Sequence, residues 1–379
     1  MVKVPGMLAE RSGETARSDG SHRKRRRFRL GALAVVLTVG LIVTLSFILF
    51  PDSKTPVTLP PVKPTPSNGY QTAPTDPTGQ PYRAFEPNSW WNTPVPLNAP
   101  HNPYETQILD YLRTGPQSGE GCLRLAGADH NPWGQPVYWA KPGDTRYNVS
   151  GLPPSRPPEL SSLRIPAKAE PANNSDGSMS VFDLKAGYVT LLTDAKYDAR
   201  TDTWSASGAS VAYLDSNGLI AATGQSDDPR NLGSHRGNNG ATSVVRLDMV
   251  KAGLVNNVLK IASGPELANK WVFPMTGSDG DYVGNDPAVP PQGLRLRIKP
   301  DINLDRMGLH PQALVIAKAL QQYGMYLGDS GGTTALKLEN TVKEGRGQLW
   351  DVTAEDLCGL PFTPRYWDVL PGGYDPSGN

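Results

Sequence analysis

The 37 basic and 36 acidic residues of this 379-residue chain nearly cancel. No net positive field draws it to nucleic acid, and no basic stripe with interleaved aromatics does so locally. Two cysteines are too few for a disulfide-dense scaffold, and with no histidine cluster beside them they make a zinc site unsupported.

Residues 1–29 carry nine Lys or Arg against three Asp or Glu, with RKRRRFR at 23–29. The next 21 residues, LGALAVVLTVGLIVTLSFILF at 30–50, hold no charge. About 20 apolar residues at a rise of about 1.5 Å cross the hydrocarbon core of a bilayer. The run therefore predicts a single transmembrane helix at 30–50. Lys and Arg on its N-terminal flank keep the 1–29 tail cytoplasmic and put residues 51–379 outside. A cleaved signal peptide has an apolar stretch of only about 7–15 residues before a small-x-small site. This run is longer, and Leu49-Phe50-Pro51 is a poor cleavage site. The basic tail serves as a topology signal, or touches anionic lipid headgroups.

Residues 51–82 hold nine prolines among Thr, Ser and Gln. Such a stretch buries no core and favours extended polyproline II, so it is expected to be a linker. One extracytoplasmic domain is expected over 83–379. Its folded part runs from near Phe85 to about Leu370 and is large enough for a substantial core.

Helical spacing is scarce there. YETQILDYLR (104–113) brings Ile108, Leu109 and Leu112 near one face. SVVRLDMVKA (243–252) ends at Gly253. PQALVIAKALQQY (311–323) starts on Pro311, stops at Gly324 and spaces Ala313, Ile316, Ala317 and Leu320 for one helix face. Strand signals are more numerous. SVFDL (180–184) and GYVTLLTD (187–194) flank a short turn. TWSASG (203–208), ASVAYL (209–214) and LIAAT (219–223) follow, then WVFPM (271–275), LRLRI (294–298) and ALKLE (335–339). The predicted fold class is mainly β, a β-sandwich of jelly-roll type with a few packed helices. Cys122 and Cys358 both lie in the oxidising exported part, so a disulfide is expected; two separate thiols are the alternative.

GDSGG at 328–332 matches the string that carries the nucleophile in trypsin-like proteases. A serine nucleophile needs a base within hydrogen-bond reach and an orienting acid. No Ala-Ala-His-Cys segment lies upstream, Thr333 stands where that string continues with Pro, and a helix ends just before it. A strand end running into a Gly-Gly turn explains the string, and a serine hydrolase using Ser330 is the weakest reading.

Several segments together resemble a family of exported bacterial proteins of poorly established function. They are SWWNTPV (89–95), TWSASGASVAYLDSNG (203–218), RLDMVKAGLVNNVLKI (246–261), VPPQGLRLRI (289–298) and ALQQYGMYLGDSGG (319–332). The likeness spans most of 85–370 and implies an exported domain. It assigns no catalytic residue. Where such proteins often carry His in the strand after the helix, this chain has Asn256-Asn257.

Exported aromatic-rich β domains suit polysaccharide, because sugars stack on indole and phenol faces. Trp90, Trp91, Trp133, Trp139, Trp204, Trp271, Trp350 and Trp367 are candidate platforms, or core residues. Glycoside cleavage uses two carboxylates roughly 5–10 Å apart. Asp183, Asp194, Asp215 and Asp329 fall near expected strand ends. Asp215 suits a turn, and Asp329 is flanked by glycines that let a ligand approach. Asp329, Asp194 and Asp183 are therefore the candidate catalytic residues. Trp204, with His235 and Arg236 in the polar loop 225–240, are candidate substrate-binding residues, and Arg230 lies nearby. No cofactor motif is present. Asp279, Asp281, Asn285 and Asp286 offer oxygen ligands for Ca²⁺, but the closing Glu of an EF-hand is missing. The expectation is a membrane-anchored protein that binds or processes cell-envelope polysaccharide. The alternative is a non-catalytic envelope scaffold or protein-interaction domain.

Overall fold

The computed structural model describes residues 72–116, 121–232, 235–264 and 266–377. All belong to the unit Val62–Asn379. The expected tail and transmembrane helix, and the linker up to residue 71, lie outside the described residues. Among the described residues, no helix is long and apolar enough to cross a membrane.

In chain order the elements are α1 (Glu105–Thr114), β1 (Arg124–Ala126), β2 (Val137–Trp139), β3 (Arg146–Tyr147), β4 (Leu163–Arg164), β5 (Met179–Asp183), β6 (Tyr188–Thr193), β7 (Lys196–Asp198), β8 (Thr203–Ser205) and β9 (Gly208–Tyr213). There follow α2 (Leu247–Lys251), β10 (Leu259–Ser263), β11 (Arg295–Ile298), α3 (Pro311–Gln322), β12 (Met325–Ser330), β13 (Ala335–Lys337) and β14 (Trp367–Val369). The fold is mainly β with few helices. Its strands form open sheets, and the described residues form no barrel. A six-stranded sheet runs β1-β13-β10-β12-β11-β14, and a four-stranded sheet runs β2-β5-β6-β9. The pairs β1–β13, β10–β12 and β2–β5 are parallel, unlike the antiparallel pairing expected of a jelly roll.

Most predicted elements form, and the differences have local causes. Helix α3 starts on Pro311, where the His310 ring accepts from the Gln312 amide, and buries the four residues expected. Helix α2 is half its predicted length. Val245 runs extended and its amide bonds Lys337 O, so β-branched residues 244–245 join the strand side. The hairpin β5–β6 has the register Asp183↔Tyr188. TWSASG and ASVAYL pair with different partners rather than each other, β8 with β7 and β9 with β6. LIAAT forms a 3-10 turn instead of a strand. WVFPM forms no strand either, making one bridge from Trp271 to Gln292 beside the cis Phe273–Pro274 bond.

Three apolar layers follow from strand alternation. Leu259, Ile261, Leu296, Ile298, Met325 and Leu327 face the helices α1, α2 and α3. Phe182, Val189 and Leu191 face Trp90, Trp91 and Tyr326 in an aromatic layer on the opposite side of the six-stranded sheet. Met179, Val181 and Leu192 point to a third cluster with Trp204. Both faces of β5 and β6 are thus covered, which explains their nearly unbroken apolar sequences.

The SWWNTPV segment is structural. Asn92 Nδ2 donates to the carbonyls of Ala84 (2.8 Å) and Glu86 (2.9 Å). Buried Arg295 donates to Thr93 O at 3.0 Å and stacks on Trp90 at 4.6 Å, while Arg297 reaches Pro96 O at 2.7 Å and Asp368 at 3.0 Å.

Candidate functional site

Three neighbouring strands of the six-stranded sheet make a floor. Leu125, Ile261 and Leu336 point into the helix-backed core. Alternation then puts Arg124, Ala126, Lys260, Ala262, Ala335 and Lys337 on the other face. All six line a cleft of about 680 Å³. The alanines keep the floor low between three basic side chains. Leu191 and Thr193 of β6 line the cleft from the four-stranded sheet, with Gln135 and Ser178 from the segments just before β2 and β5. Trp133, 40% exposed, also lines it.

Strand β12 forms another side, and its pairing with β10 slips. Ile261 opposes Leu327, yet Ala262 opposes Asp329, so Gly328 is an extra residue. In a regular strand Asp329 would share the core-facing side of Leu327. The bulge turns it onto the cleft face. There its Oδ2 accepts from Lys260 Nζ at 2.9 Å. Glycine lets Lys260 and Tyr326 close over the bulge, because a Cβ at Gly328 would lie 2.7 Å from both Lys260 Cγ and Tyr326 Cε2. Asn238 Nδ2 fixes the bulge by donating to Gly328 O at 2.9 Å.

A second carboxylate, Asp279, lines the cleft and is held from behind. Arg236 Nη1 meets its Oδ2 at 3.0 Å, and Gln292 Nε2 donates to its Oδ1. The same amide donates to Glu266 Oε2 at 2.8 Å. Glu266 is 0% exposed. Burial pushes its carboxyl well above the usual range. The Gln292 bond opposes this, and the charges of Asp279 and Asp329 add to it.

The predicted site residues separate clearly. Asp329 and Asp194 both line the cleft, the latter just past β6 at φ 49° and paired with Lys196. Asp183 does not line it. This residue is fully buried, with Arg164 at 2.6 Å and the Ala186 amide at 2.9 Å, and its role is structural. Trp204 cannot offer a sugar platform, because it is buried in the third cluster under Tyr197. Trp90, Trp91, Trp139, Trp350 and Trp367 are buried too, leaving Trp133 and Trp271 exposed. Arg236 reaches the site through Asp279. The His235 side chain lies outside the described residues. Arg230 instead lies over the Tyr213 ring and pairs with Asp228.

Ser330 lines the cleft, but among the described residues no histidine does. Three of the four oxygen ligands offered by 277–286 have other partners. Asp279 is held as above, Asn285 accepts from Lys270, and Asp286 caps the Ala288 amide. His101, Glu105 and Asp368 do converge within 4.8 Å, yet Arg297 and Lys299 already neutralise Asp368. Cys122 and Cys358 are bonded, with Cα atoms 4.9 Å apart.

Lys260, Lys337, Glu266 and Gln292 were not singled out from sequence. The lysines had a signal, a single basic residue inside an apolar strand in VLKIA and ALKLE. Comparison with family models, curated proteins and solved structures gives no match.

Proposed function

We propose that this protein binds and cleaves cell-envelope polysaccharide in the cleft between its two larger sheets, on the outer side of a membrane that residues 30–50 span. We take the layered arrangement as sandwich-like, with its working site at one open edge. The observation that carries the reading is the bulge at Gly328, which spends a regular register to turn Asp329 into the cleft against Lys260.

Asp329 is the acid–base group of this reading, and Lys260 holds it in place and donates to a bound sugar oxygen. Asp279, fixed by Arg236 and Gln292, is the second carboxylate that glycoside chemistry requires. Trp133 offers a stacking face. Among the described residues no histidine base lines the cleft, so the nucleophile reading of Ser330 lacks support.

The test uses the full chain in detergent, incubated with peptidoglycan sacculi, polygalacturonate and a neutral β-glucan. New reducing ends indicate hydrolysis, and unsaturated ends indicate elimination. Asp329→Asn is expected to lower the rate by roughly 100-fold or more while substrate still binds. Binding by wild type without any new ends would leave a binding module. The absence of both binding and cleavage with every polymer sinks the proposal.

A further inference from the structure

The floor of the cleft carries a charge arrangement that a neutral sugar does not need. Strands β10 and β13 are antiparallel, with Ile261↔Leu336 and Ala262↔Ala335. Beyond these two pairs the ladder ends, and Lys337 O accepts instead from Val245 N at 3.0 Å, yet alternation keeps Lys260 and Lys337 both on the cleft face. Like charges gathered on one sheet face are unfavourable unless each has a counter-charge. Both are largely withdrawn from water, Lys337 being 14% exposed. Arg124 stands on the next strand, two residues before Ala126, the partner of Lys337.

The counter-charges come from outside the floor, and they differ: Arg124 is paired with Glu355, whose side chain is 48% exposed. Lys260 is paired with Asp329, which the bulge fixes. Lys337 Nζ meets Asp176 Oδ2 at 2.9 Å, but Asp176 is 40% exposed and sits in the loop before β5. An ion pair with so exposed a partner contributes little and exchanges readily. Ala126, Ala262 and Ala335 leave room above the floor beside it.

Building on the polysaccharide reading, we infer that the polymer is anionic. An oxyanion on a sugar unit takes the place of Asp176 on Lys337, within reach of Arg124. A uronate carboxylate and a phosphodiester bridge share this chemistry. Hydroxyl groups of a neutral glucan do not replace the carboxylate that Lys337 would give up.

The full chain in detergent is titrated with polygalacturonate, with poly(glycerol phosphate) and with a neutral β-glucan of similar length, at low and high salt. One of the two anionic polymers is expected to bind at least about tenfold tighter than the glucan, and that advantage to shrink with salt. Which one binds separates carboxylate from phosphate. Lys337→Gln is expected to reduce its affinity to that of the glucan without changing the melting temperature. Equal binding of the glucan, or an unchanged affinity in Lys337→Gln, overturns this inference and leaves the polysaccharide reading intact. No binding of any polymer overturns both. Should Lys337→Gln fail to fold, Asp176→Asn decides. Removing the competing carboxylate must raise affinity for the anionic polymer, and no rise overturns the inference.

Discussion

Glu266 shows how a single buried carboxyl is coupled to pH. Burial raises its folded-state affinity for a proton. In the unfolded chain a glutamate titrates near about 4.3. Between that value and the raised folded one, the native state keeps a proton that the unfolded chain has lost. Stability from this group is therefore fully present below the unfolded value and falls as pH rises through the window. Glu344 acts in the same direction, through burial first and then the charge of Glu339. Glu266→Gln is expected to melt with a shallower pH dependence than wild type, with its advantage growing from about pH 4 to 8. Thermal melts across that range check it, and two parallel curves would sink the idea. Sequence pointed to Asp329 and Asp194, because acids at strand ends are recognisable without a structure, and glycines flank Asp329. It missed Glu266, since a lone Glu in an unpatterned loop looks like any solvated residue. Trp204 misled for the opposite reason: a large aromatic carries no mark of whether its ring faces solvent or core.

At the scale of elements, the bulge in β12 is the most informative. Gly328→Ala places a methyl group against Lys260 and Tyr326. We expect it to cost about 1–3 kcal/mol and to displace Lys260 from Asp329. Urea unfolding reads the first effect and cleft binding the second. A variant that keeps wild-type binding would show that the bulge geometry does not matter to the site. The hairpin β5–β6 and helix α3 were legible because local rules govern them, a tight turn between apolar runs and a proline-started amphipathic repeat. The register slip was not legible. It is decided by how β12 meets β10, and those strands are separated by β11 and α3. The parallel pairings escaped for the same reason, since strand order is a long-range property. WVFPM failed as a strand on information already present, because Pro274 lacks the amide a central ladder position needs.

Across the whole molecule, the Cys122–Cys358 bond closes a span of 236 residues and joins the approach to β1 with the segment before β14. Replacing both cysteines with Ala is expected to lower stability by about 2–4 kcal/mol. Reductant should lower the melting temperature of wild type and leave that variant unmoved; no shift in wild type would show that the bond adds nothing. Cys122 lies two residues before Arg124, so reduction should also weaken cleft binding through the short edge strand β1. The floor itself has a consequence for divergence. In β1, β10 and β13 alternate side chains belong to different tasks, one set packing beneath the sheet and the other facing the cleft. A change at Ala126, Ala262 or Ala335 alters the depth of the groove without entering the apolar layer below. Descendants of this chain can therefore acquire new ligand preferences by single substitutions while inheriting the same folded frame.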